Sequence, residues 1–239
     1  MIFIRLSLIF APDAHDPGRT LDESKRTMRK ALAILLTSCL VLTGCGKDAF
    51  VPAEHLQDTM VTVDDTELKL DDLAFVILET EKSVQKQAVM YNEKEPDAYW
   101  RLHVNGRFLK DMVMEGIIDT AVHDTLFCAM AKESGIALSE EEHDLIREKA
   151  SAYFADLTTF EKESLDLDEA DIIKAMERIG LSEKYSEFFC IEHQCEPEEA
   201  RTDGAVYRAF LESHRITVAP DWNKVPIGRV TLWENLTDY

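Results

Sequence analysis

From Asn105 to Ser134 the chain runs without a proline, and its only glycines there are Gly106 and Gly116. Phe108, Met112, Val113, Met114, Ile117, Ile118, Val122, Leu126 and Phe127 fall in this stretch. At 100° per residue they leave apolar side chains around most of a helix's circumference. Such a helix has no face to give to water and must be packed on several sides. Unbroken, it would be roughly 40 Å long at about 1.5 Å per residue. Gly135 supplies the stop. A chain built around this element is predicted to be mainly α, a multi-helix bundle.

The remaining elements are read around it. "MVTVDDTELKL" alternates apolar and polar residues on either side of Asp64 and Asp65, so it is predicted to be a small N-terminal β-hairpin. Asp71 and Asp72 open a helix that carries Leu73 to Leu78 and runs to about Glu95, before Pro96. "DAYWRLHVNG" is read as a connection to the long helix. Ser139 and Glu142 have capping-box spacing for a helix ending near Leu157. Asp168 to Ile179, stopped by Gly180, is read as a further helix, and Ser182 to about His193 as another. Pro197 is placed in the first turn of a last helix ending near His214, and "RITV" is read as a short C-terminal strand. Acid pairs and triplets (Asp64-Asp65, Asp71-Asp72, Glu140 to Glu142) fit turns and positive helix ends without any catalytic role.

Ahead of these elements stands "MRKALAILLTSCLVLTGCGK", residues 28 to 47. Two basic residues, an apolar run from Ala31 to Leu42 and the small pair Thr43-Gly44 form the three-part pattern of a secretory signal. Twelve residues in a helix reach roughly 20 Å, short of a hydrocarbon core of about 30 Å. Leu42-Thr43-Gly44-Cys45 resembles the bacterial lipobox. That resemblance implies lipid attachment to the Cys45 thiol, cleavage before Cys45, and a protein anchored on the extracytoplasmic face of the cell membrane. Residues 28–44 would then be the signal peptide, with translation beginning at Met28. Residues 1–27, whose four acids do not suit a leading basic region, would be an upstream extension. Residues 45–59 are read as a linker and 60–239 as one helical domain.

Charge narrows the partners. The chain has 26 Lys+Arg against 46 Asp+Glu, and without residues 1–44 it has 20 against 42, a formal charge of −22. Such a polyanion is not drawn to nucleic acid or to anionic headgroups, so membrane contact falls to the lipid. With Cys45 lipidated, Cys128, Cys190 and Cys195 are left, an odd number that argues against a disulfide framework. Cys128 reads as a buried free thiol. Cys190 and Cys195 could pair if a helix ends between them. "CIEHQC" has three candidate ligands in no usual zinc spacing, and no metal or other cofactor is expected.

Ala131, Gly135, Ile136, Leu138, Ser139 and Glu142 form the pattern A-x-x-x-G-I-x-L-S-x-x-E. With the hairpin "VTVDDTELKLDDLAF" before it and "VYRAFLESHRITV" after it, the chain resembles the chaperone module of SurA, PrsA and trigger factor over about residues 60 to 218. The resemblance implies a bundle that binds unfolded or secreted polypeptides. PrsA-like lipoproteins add a parvulin prolyl-isomerase domain, and its histidine-bearing strand and glycine-rich segment are missing from this sequence. No G-x-S-x-G, H-E-x-x-H, phosphate-loop or dinucleotide pattern occurs, and no catalytic residue is proposed.

The expected function is therefore an anchored holdase whose apolar groove accepts many sequences through flexible Met and aromatic walls. Wall candidates are Tyr91, Tyr99, Trp100, Phe108, Met112, Met114, Tyr185, Phe188, Phe189 and Trp222, each of which also suits a core. The rival expectations are a lipoprotein scaffold subunit holding one folded envelope partner, and an isomerase-family member lacking its catalytic domain.

Overall fold

The computed structural model describes residues 50–231. The upstream extension, the signal peptide and Cys45 lie outside the described residues. Within them the protein is mainly helical, with a small sheet.

Strands β1 (Thr59–Val63) and β2 (Thr66–Lys69) pair antiparallel, with Val61 opposite Leu68 and Val63 opposite Thr66. Asp64 takes the left-handed turn conformation at φ 53°, which aspartate tolerates better than most residues. Far along the chain, β5 (Ile216–Val218) joins the other edge of β1, giving the order β2-β1-β5. Asp64 ties the two ends of the domain together. Its carboxylate accepts the Arg215 N–H at 2.9 Å and meets His214 Nδ1 at 2.7 Å.

Helix α1 (Leu70–Tyr91) begins directly on β2. Its free N-terminal amides find partners in the segment read as a linker, with Leu70 N donating to Asp58 O and Asp71 N to Leu56 O, both at 3.0 Å. Residues 50–58 are thus packed against the body, with Pro52 buried in a 3-10 turn. Leu73 to Leu78 are all buried, so this part of α1 is covered on every side.

A short helix α2 (Asp97–Trp100) follows, then β3 (His103–Val104) and β4 (Arg107–Phe108). Asn105 and Gly106 both have positive φ, 51° and 82°, and make the two-residue turn between them. The long central helix α3 is therefore Leu109–Glu133, shorter at its start than expected. The Asn-Gly pair is a stronger hairpin signal than the helix pattern that runs over it.

Helix α4 (Glu140–Asp156) starts at the expected box: Glu142 N donates to Ser139 Oγ at 3.2 Å and Ser139 N to Glu142 Oε2 at 2.6 Å. A second box, Thr158 with Glu161, opens α5 (Thr159–Ser164), an element that the sequence reading passed over. Helix α6 (Glu169–His193) is one continuous element where two were expected. Gly180 does not break it; a methyl group there would sit 3.5 Å from Ile146 Cδ1 and 3.7 Å from Leu138 Cδ2, at ordinary contact distance from the neighbouring segments.

The helix expected from Pro197 to His214 is instead a 3-10 turn, Pro197–Ala200, and a separate α7 (Ala205–Leu211). Gly204 separates them because a Cβ there would lie 2.3 Å from the Glu199 carbonyl oxygen. A last 3-10 turn, Pro220–Lys224, leads into the tail.

Helices α3 and α6 form the main pair, with α4 against α6 and α1 against both. At their centre Phe127 meets Phe189 at 5.0 Å between ring centroids, Tyr185 at 5.3 Å and Tyr207 at 5.6 Å. Each such ring buries enough apolar area to contribute about 2 kcal/mol, with the edge-on geometries adding to that. No helix among the described residues is long and apolar enough to cross a membrane.

Candidate functional site

Two parts of the molecule depart from the rule of apolar inside and polar outside. The first is the end built by the last turn of α1, by α2 and by the β3–β4 hairpin. Met90 is 80% exposed, Tyr91 60% and Phe108 49%. The Tyr91 and Tyr99 rings lie 5.5 Å apart, and the Tyr99 hydroxyl donates to Gln87 Oε1 at 3.1 Å. Phe108 stands edge-on to His103 at 3.9 Å, and Met112, half-buried, follows one turn into α3. The local chain sets where each of these side chains falls. Helix α1 stops at Asn92, Pro96 starts α2, and the Asn105-Gly106 turn brings Phe108 opposite His103. A smaller exposed group lies on the last turns of α6, where Phe188 and Ile191 face solvent and Tyr185 touches Phe188 at 5.7 Å.

Of the ten wall candidates, Tyr91, Phe108 and Phe188 are exposed, and Tyr99 and Met112 are half-buried. Trp100, Met114, Tyr185, Phe189 and Trp222 are buried and line no open groove in this structure. Their area is already covered: Tyr185 and Phe189 pack on Phe127, and the Trp100 ring lies against Gly228. The ring contacts of Tyr91 and Tyr99 and those of Phe188 form separate groups.

The second departure is a carboxylate inside the protein. Glu81 is fully buried in α1 and accepts three hydrogen bonds from the tail: Gly228 N and Thr231 N, each at 2.6 Å, and Thr231 Oγ at 3.0 Å. Burial pushes its pKa above the ordinary carboxylate value, while the donors from Thr231 and Gly228 pull the other way. Trp222, Val225, Ile227 and Val230 are buried in the same segment. Gly228, at φ 91°, approaches so closely that a Cβ would lie 3.0 Å from Trp100 Cδ2. One turn beyond Glu81, the Gln85 side-chain amide is also buried and meets no hydrogen-bonding group among the described residues.

Sequence reasoning missed this clamp, although a signal was present. Leu70, Ala74, Ile77, Glu81, Gln85 and Ala88 fall on one helical stripe and are all buried, so two polar residues interrupt an otherwise apolar face.

The acid-rich helix starts behave as structural features. Asp72 accepts the Lys69 N–H at 3.1 Å and pairs with Lys174 Nζ at 2.9 Å. Burial alone would raise its pKa, but the Lys174 and Lys69 bonds outweigh that and lower it. Together with Asp71, Asp171 and Arg178 these side chains rim a shallow depression in which three carboxylates stand beside two cations. Among the described residues no group of three or more His, Cys, Asp or Glu side chains is arranged to hold a metal ion.

Compared with known proteins, the chain matches no family model, no curated protein and no solved structure.

Proposed function

We propose that this protein is a membrane-anchored extracytoplasmic chaperone of the SurA/PrsA/trigger-factor type, holding unfolded segments of secreted polypeptides. The observations that carry the reading are the exposed Met90 and Tyr91 at the end of α1, with the half-buried Tyr99 beside Tyr91, and the exposed Phe108 in the β3–β4 hairpin, all on an acidic body. Unfolded chains present apolar side chains in no fixed order. A patch of thioether and aromatic groups meets them without demanding particular hydrogen bonds. The surrounding negative charge keeps the complex soluble beside the membrane and favours basic clients. Lipid attachment at Cys45 would provide the anchor, as the lipobox resemblance implies.

The test is suppression of aggregation of several unrelated denatured proteins by the chain lacking residues 1–45. The wild-type chain is expected to protect most of them, and Tyr91→Ser with Phe108→Ser is expected to abolish protection while the fold persists by circular dichroism. Failure with every denatured protein, combined with one dominant partner captured by crosslinking in intact cells, would replace this reading with the scaffold subunit.

A further inference from the structure

Two helices of this protein end in the same way, and the second end carries two thiols. At the end of α3, Gly135 adopts φ 69° and Ile136 N donates to Ala131 O at 2.8 Å. This is the six-to-one hydrogen bond of a Schellman cap, which brings the side chains at its two ends into contact. At the end of α6, Gln194 adopts the left-handed conformation at φ 51°, ψ 44°, and Cys195 N donates to Cys190 O at 3.0 Å. Cys190 and Cys195 thus occupy the positions that Ala131 and Ile136 hold in the first cap. The cap thus sets the two thiols side by side at the helix end, and the Cys190 thiol reaches the Glu196 carbonyl at 3.6 Å. Both thiols are free and partly exposed, and the helix ends between them.

From this geometry we infer that Cys190 and Cys195 are a dithiol site that closes to an intramolecular disulfide by exchange with a small organic disulfide. One cysteine, as thiolate, attacks the reagent and expels one thiolate, which takes up the proton released. The other then attacks the mixed disulfide and expels the second. The protein loses two protons and two electrons, and the reagent is reduced to two thiols. The product staples the end of α6, beside the exposed Phe188 and Ile191, to the chain entering the Pro197–Ala200 turn. Burial, the Cys195 thiol and the carboxylates of Glu196 and Glu199 push the Cys190 thiol up to about 11. Attack by Cys190 is therefore slow near neutrality, and full equilibration is needed to judge the pair.

The site is independent of the chaperone reading, and the test uses the whole chain. The protein is equilibrated with oxidised and reduced glutathione, quenched in acid, unfolded, alkylated and cut with trypsin. One peptide, Tyr185 to Arg201, holds both cysteines, while Cys128 lies in another and serves as the control. The expected result is a Tyr185 to Arg201 peptide lighter by two hydrogens and free of alkyl groups, with Cys128 alkylated. Cys195→Ser should leave a single glutathione on Cys190. In strong denaturant, closure should need about a tenfold higher ratio of oxidised to reduced glutathione, because the cap no longer holds the thiols together. Recovery of the native peptide with two glutathiones or two alkyl groups would overturn the inference, as would equal closure in the native and denatured chains.

Discussion

Helix α1 contains two opposite departures from ordinary burial within about three turns. At Glu81 a carboxylate is inside the protein; at Met90 and Tyr91 large apolar side chains are outside. The first is offset locally, by three donors from one short tail segment. The second is left largely to solvent within the described fold: Met90 is 80% exposed, and Tyr91, beside the tilted ring of Tyr99, is 60% exposed. An unfavourable placement with its partners supplied belongs to folding. One without them is better explained by something the molecule does.

That contrast can be broken experimentally. Glu81→Ala strands two backbone amides and a hydroxyl in a buried site, and should cost about 3 kcal/mol in urea unfolding at mildly acid pH. A cost below about 0.5 kcal/mol would show that the tail needs no clamp. Gly228→Ala, which forces a Cβ against Trp100 at positive φ, should cost about 2 kcal/mol by the same measurement.

A smaller, graded effect comes from pH. The Glu81 pKa is raised in the folded state, so the folded protein binds its proton more tightly than the unfolded chain does. The stability linked to Glu81 is complete below the unfolded value near 4.5 and is lost as pH rises through the folded value. The penalty for Glu81→Ala should therefore shrink steadily as unfolding is repeated from pH 5 upward. Asp72, lowered in the folded state, works in the opposite sense: its contribution is present above 3.8 and lost as pH falls through its folded pKa. The smallest effect is expected at the exposed end. Tyr91→Ser and Phe108→Ser should each change unfolding free energy by less than about 0.5 kcal/mol. A larger loss would make these rings structural and remove the basis for the proposed contact surface.

Legibility in the sequence followed the range of the interaction responsible. The β1–β2 hairpin, the Ser139–Glu142 box and the Gly135 stop were all readable, because residues a few positions apart satisfy one another. The Asn105-Gly106 turn and the Thr158–Glu161 box were equally local; the apolar pattern of the long helix and a short segment length hid them. Gly180 was misjudged for a different reason. A glycine weakens a helix but ends it only where the chain leaves the helical conformation, and α6 runs on through it, packed by α3 and α4. For the candidate site, composition supplied the aromatic residues but not their sorting, since Trp100 and Tyr91 look alike until Gly228 is seen to cover one of them.

Periodicity, caps and turn residues by themselves determined that this chain is mainly helical with a hairpin at the start of its folded body. Composition by itself determined that it is strongly acidic. Only the tertiary structure decided that β5 returns to β1, that the tail fills the space over Glu81, and that Met90, Tyr91 and Phe108 remain uncovered. The reason is physical: local hydrogen bonding and side-chain period are set by near neighbours, whereas burial depends on which distant segment arrives to exclude the water.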